Sequence, residues 1–101
     1  MAVNQIYGVI MEEELQLSER QIHILKHAIG YSPERINESR YAPYRNRYAA
    51  QTDDSDWEKL VEAGLAEKYV EKSGYVWYYD SRKGLDVLGE ILGIHIEDET
   101  P

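Results

Sequence analysis

Apolar positions recur along this chain with two periods, and the alternation between them sets out the expected elements. From Ser18 to Ile29, Ile22, Leu25 and Ile29 fall on one helical face. Ser18 and Gln21 have capping-box spacing, Leu17 and Ile22 have staple spacing, and Gly30 marks the stop. A longer patterned stretch runs from Ser55 to Leu92. It opens with Trp57, Leu60, Val61, Gly64 and Leu65 at helical spacing, behind a Ser55/Glu58 capping box. Two aromatic-rich runs follow, 66–71 and 75–79, joined through Lys72-Ser73-Gly74, a hairpin signature in which Gly74 supplies positive φ. Asp80 or Ser81 then caps a closing helix whose inward face is Leu85, Leu88, Ile91 and Leu92, with Gly93 as its stop.

The remaining segments pattern less regularly. Val3, Ile6, Tyr7, Ile10 and Met11 share a helical face and predict a short N-terminal helix, with Glu12–Glu14 opposing the dipole at its end. Ser32-Pro33-Glu34 reads as a helix start, Pro43 interrupts it, and residues 44–51 read as a second short helix. Ile94-His95-Ile96 alternates as a short extended segment, an added strand or a dimer contact, before an acidic tail. The expected fold is α+β: mostly α with a small β-hairpin. Residues 1–16 form an N-terminal helical extension, 17–93 the main domain, and 94–101 the extended segment and tail.

Composition narrows the setting. With 101 residues and no cysteine, the chain suits one unstapled domain without disulfides or thiolate metal sites. No run reaches the ~20 apolar residues of a membrane span, and the N-terminus lacks a signal peptide's basic start, so a cytoplasmic protein without a membrane partner is expected. Nine tyrosines and two tryptophans stand against no phenylalanine, which favours half-wet aromatic surfaces.

Charge divides the chain. Of the formal −8, Glu12–Glu14 and Glu97–Glu99 supply −6. Asp53, Asp54, Asp56 and Glu58 cluster at the start of the 55–65 helix, where carboxylates favour the positive end of the dipole. Between Arg40 and Tyr48 stand Arg40, Arg45 and Arg47 with Tyr41, Tyr44 and Tyr48 and no acid. Guanidinium forks suit phosphates and tyrosine rings suit bases, so this is the one locally basic surface. His23 and His27, four apart, point to one side and read as solvent-facing. No metal-ligand spacing, phosphate loop, nucleophile elbow or Cys–His pairing occurs, so a non-enzymatic protein without cofactor or metal is expected.

Leu60-Val61-Glu62-Ala63-Gly64-Leu65, a hairpin, and then Tyr78-Tyr79-Asp80-Ser81-Arg82-Lys83-Gly84-Leu85 resemble the end of a winged helix-turn-helix domain, as in MarR-like and PadR-like regulators. Ser81 stands where that family usually has the threonine of its Thr-x-x-Gly helix start, and Gly84 keeps its place. Tyr44-Arg45-Asn46-Arg47-Tyr48 also resembles small phage and prophage proteins. The resemblance implies a winged-helix-like single domain that binds duplex DNA in regulation, with the 55–64 helix in the major groove. Because that helix opens on carboxylates, DNA contacts are expected from Arg40, Tyr44, Arg45, Arg47, Tyr48, Arg82 and Lys83 instead. The alternative is an acidic interaction or inhibitory factor, a DNA mimic, whose Asp53, Asp54, Asp56 and Glu58 occupy a basic site on a partner protein. Residues 1–16 and 94–96 are the candidate seam of a homodimer.

Overall fold

Among the described residues, three helices and a three-stranded antiparallel sheet enclose a core in which Trp57 lies flat against Tyr78, ring centroids 5.2 Å apart and planes 7° apart. The computed structural model describes residues 16–99; the helix expected over residues 1–16 falls almost wholly outside them, as do the last two residues of the tail. In chain order the elements are α1 (Glu19–Ala28), β1 (Arg40–Tyr41), β2 (Tyr48–Ala50), α2 (Ser55–Glu62), β3 (Ala66–Val70), β4 (Val76–Asp80), α3 (Arg82–Leu92) and β5 (His95–Ile96). The architecture is an α+β domain. No described helix is long and apolar enough to cross a membrane.

Helix α1 begins as its sequence dictates. The Ser18 hydroxyl accepts from Gln21 N at 3.0 Å, and the Gln21 side chain accepts from Ser18 N at 2.8 Å. Its buried face is Ile24, Leu25 and Ala28, with Ile29 at the end, rather than Ile22, Leu25 and Ile29. Ile22 is only partly buried and, like Leu17, packs against the margin of the core, where a staple belongs. All three helices end in the same way: a glycine (Gly30, Gly64 or Gly93) takes φ between 62° and 79°. The backbone then closes two bonds over each helix end, such as Tyr31 N to Lys26 O and Gly30 N to His27 O.

The chain between α1 and α2 departs from expectation. Its helix start at Ser32-Pro33-Glu34 yields only a 3-10 turn, Pro33–Arg35, and the helix expected over 44–51 is replaced by β2. Two causes are visible. Asn37 and Arg40 close a two-residue turn in which Glu38 and Ser39 adopt φ of 51° and 62°, sending the chain back as β1. Tyr48, Ala49 and Ala50 then pair with Tyr78, Trp77 and Val76 of β4, so sheet pairing overrides local helical preference.

Helix α2 is capped by Asp54, whose side chain accepts from Asp56 N and Trp57 N; the expected Ser55/Glu58 box does not form, because Glu58 is engaged by Tyr78 and Lys68. The hairpin forms over the expected runs, with Val70 opposite Val76 and Gly74 at φ 93°. Strand β4 lies central in the order β2-β4-β3. Its Val76, Tyr78 and Asp80 are buried under the helices while Trp77 and Tyr79 lie half-buried on the outer face.

Ser81 caps α3, accepting from Gly84 N at 3.0 Å and donating to Gly64 O at 2.6 Å. This helix turns Gly84, Leu85, Val87, Leu88 and Gly89 inward, and Ile91, expected inside, is 47% exposed. The two glycines explain the rotation, since each lets a neighbouring main chain approach where a Cβ would clash. The Ile94–Ile96 segment is an added strand within the chain: β5 pairs in parallel with β1, and Ile96 is buried.

Candidate nucleic-acid interface

The seven residues expected to meet nucleic acid separate into two groups. Arg40 and Arg82 lie at the end of the molecule formed by β1, β5 and the acidic tail. Arg40 Nε pairs with Glu97 at 2.8 Å. Arg82 pairs with Asp86 at 2.7 Å and Asp98 at 2.8 Å and donates to Ile96 O. Lys83 borders a separate shallow cavity that also carries Asp86, Glu90 and His95. These three cations are therefore either neutralised or set among carboxylates.

Arg45, Arg47 and Tyr48 converge on a separate surface. They line a cavity of about 630 Å³ with His23 and His27 of α1, and Trp77 of β4 also borders it. No carboxylate lines this groove. Arg20, His23 and His27 reach it because positions three, four and seven apart share one helical face. The other wall is the stretch entering β2, fixed by two contacts to the end of α1: Arg47 N donates to Ala28 O at 3.0 Å, and Arg45 Nη2 donates to His27 O at 2.7 Å.

The two arginines differ in their freedom. Arg45 is half-buried, its guanidinium 5.5 Å from the Tyr44 ring centroid, and its Nε is enclosed without a hydrogen-bond partner. It therefore presents a cation anchored to the end of α1 through Nη2. Arg47 is exposed, and among the described residues it enters no ion pair. Tyr44, 54% exposed, is held between the guanidiniums of Arg35 and Arg45, at 4.9 and 5.5 Å. A second cavity of about 330 Å³ continues the surface past Tyr44, Tyr31 and Lys26, sharing His23, His27 and Arg45 with the first.

The acidic run behaves differently. Arg20 holds Asp54 through two parallel bonds of 3.1 Å and reaches Asp56 at 2.6 Å. Lys68 pairs with Asp53 at 3.0 Å and Glu58 at 2.9 Å. The Arg20 guanidinium holds the Asp54 carboxyl below its usual range, against the opposing effect of burial. The Tyr78 hydroxyl, seconded by Lys68, does the same for Glu58. All four carboxylates thus have a partner within the fold, and the Asp54 and Glu58 contacts tie α2 to α1 and β4.

His23, His27, Lys26 and Trp77 were not singled out as interface residues in the sequence. The i, i+4 histidine spacing was legible and correctly read as solvent-facing. What lay beyond it was the second wall, which exists only because β2 pairs with β4 and brings Arg45, Arg47 and Trp77 alongside α1. The chain matches no family model, no curated protein and no solved structure.

Proposed function

We propose that this chain is a non-enzymatic nucleic-acid-binding module of winged-helix-like design, acting in DNA-associated regulation, and that its contact surface is the groove between α1 and β2. The observation that carries this reading is the convergence of Arg45 and Arg47 with His23 and His27 along a groove without a carboxylate, in a chain whose formal charge is −8. Phosphate neutralisation dominates nucleic-acid affinity, so binding follows the local field rather than the total charge. The order α2, hairpin, α3 and the Ser81-to-Gly84 cap support the winged-helix likeness. The first turn of α2 is not the contact, because its carboxylates would face phosphate. The acidic-capture alternative gains nothing from the geometry, since Asp53, Asp54, Asp56 and Glu58 are each held by Arg20 or Lys68.

The test is binding to a mixed pool of labelled DNA across a salt series, with an Arg45→Glu/Arg47→Glu variant alongside. Affinity that falls with salt in the parent and is lost in the variant supports the groove. Equal binding by the variant, or no binding by the parent at low salt, overturns it.

A further inference from the structure

The basic groove does not end at β2. Its floor includes Ala49 and Trp77, and these belong to the outer face of the sheet. The register places Ala49, Trp77 and Tyr69 in one cross-strand row, with Tyr75 and Tyr79 two residues either side of Trp77 on the same face. Tyr69 is 61% exposed and Tyr75 37%, and the Tyr75 and Trp77 rings sit 5.6 Å apart, tilted by 59°. Two polar atoms of this face are already held: Trp77 Nε1 donates to Glu71 at 2.8 Å, and Tyr79 OH donates to Glu67 at 3.2 Å. These bonds restrain the rings by their edges. Ala49 is too small to cover Trp77 from the β2 side, so the indole borders the groove that Arg45 and Arg47 make positive.

We propose that this surface takes single-stranded nucleic acid, with phosphates along Arg45 and Arg47 and a base stacked on Trp77 and its tyrosine neighbours; the inference rests on the nucleic-acid reading above and names its substrate class. A strand without a partner offers both a backbone charge and exposed base faces, and basic grooves flanked by aromatic rings recognise that combination. A duplex keeps its base faces stacked, and α2, the helix expected in its major groove, offers it no basic N-terminal turn: Asp54 caps α2 and Asp56 and Glu58 follow. Glu67, on β3, and Glu71, just past its end, hold Tyr79 and Trp77 from the β3 side of the sheet, away from β2. That polarity keeps the phosphates on the α1–β2 side and directs the bases towards β4.

The experiment titrates the protein with a short mixed-sequence single-stranded DNA and with its annealed duplex, at low and moderate salt, following tryptophan fluorescence. Trp57 is sealed in the core, so quenching on binding reports Trp77. The expected result is salt-sensitive binding of the single strand with quenching, at least about tenfold tighter than the duplex. Trp77→Ala and the fully surface-lying change Tyr69→Ala each weaken it by about tenfold, while Trp77→Phe retains affinity and abolishes the quenching. Tyr69→Ala keeps the test decisive if loss of the indole disturbs the sheet. Equal or tighter duplex binding without quenching overturns the single-strand assignment and leaves the basic groove standing. Absence of binding to either form at low salt, or binding untouched by Arg45→Glu/Arg47→Glu, overturns both.

Discussion

Asn46 is bonded twice to the main chain of Asp80: its amide nitrogen donates to Asp80 O at 2.9 Å, and its oxygen accepts from Asp80 N at 2.8 Å. The side chain thereby completes the end of β4 as an adjoining strand would, and it does so from between Arg45 and Arg47. Position of the groove's two cations is thus coupled to the sheet through one amide. Asn46→Ala leaves two main-chain groups without partners at a nearly buried site and is expected to cost about 1–3 kcal/mol in urea unfolding. Because the variant removes no charge, weaker nucleic-acid binding at unchanged net charge checks the positioning role. Asn46→Asp, which keeps the acceptor and loses the donor, falls between.

Asp80 itself supplies the pH-dependent prediction. Its side chain is buried, neither carboxyl oxygen has a hydrogen-bond partner, and burial pushes its pKa well above the usual carboxylate range. The folded state therefore holds a proton that the unfolded chain releases. The contribution of this group is full below the ordinary carboxylate pKa and is lost as pH rises from there towards the folded value. Asp80→Asn removes that loss and is expected to stabilise the protein near neutral pH by about 1–2 kcal/mol. Asp54 and Glu58 act in the opposite sense, since their lowered values give stability above the ordinary range that disappears on acidification. The parent-minus-variant difference in thermal unfolding from pH 4 upwards isolates Asp80; a difference that does not grow with pH refutes the assignment.

Most of the fold was legible where local chemistry decides it. The Ser18 box, the Gly74 hairpin and the Gly93 stop each follow from residues within four positions of one another. Errors arose where distant groups claimed a side chain or a strand. Glu58 was assigned to a capping box and is taken instead by Tyr78, twenty residues on. Residues 44–51 carry no strong strand pattern, and only β4 makes 48–50 a strand. The candidate site inherits both lessons. Local composition groups Arg45, Arg47 and Tyr48, which the fold also brings together, but it cannot show that Arg40 and Arg82 pair with Glu97 and Asp98 or that Lys83 lies beside Asp86.

Gly84 shows a requirement that conformation alone does not reveal. Its φ is not in the left-handed region, yet a Cβ there would stand 1.9 Å from Leu65 O. Leu65 O also accepts from Ser81 N at 3.0 Å, so the carbonyl cannot move aside without releasing the start of α3. Gly84→Ala, which normally favours a helix, is therefore expected to destabilise by about 3 kcal/mol or more. Chemical denaturation checks it. Gly74→Ala offers the contrast: nothing lies within 4 Å of its Cβ, so its cost comes from the backbone at φ 93° alone and is about 1 kcal/mol.

Tyr78 joins the core to the acidic run, and its raised pKa is expected to weaken the fold at alkaline pH. The hydroxyl accepts from Asp54 N at 3.0 Å and donates to Glu58 at 2.5 Å, beneath a ring stacked on Trp57. Burial first, then the Glu58 hydrogen bond, pushes its pKa up to about 12 from the ordinary 10.0. A raised value means that the folded state keeps its proton while the unfolded chain ionises, so stability is full below pH 10.0 and declines between 10.0 and about 12. Tyr78→Phe keeps the stack and removes both hydrogen bonds. It is expected to lose about 1–3 kcal/mol near neutral pH and to flatten the alkaline decline. Equilibrium unfolding of the two proteins at neutral pH and at pH 11 measures both effects, and a variant that declines as steeply as the parent would place the alkaline transition on another tyrosine.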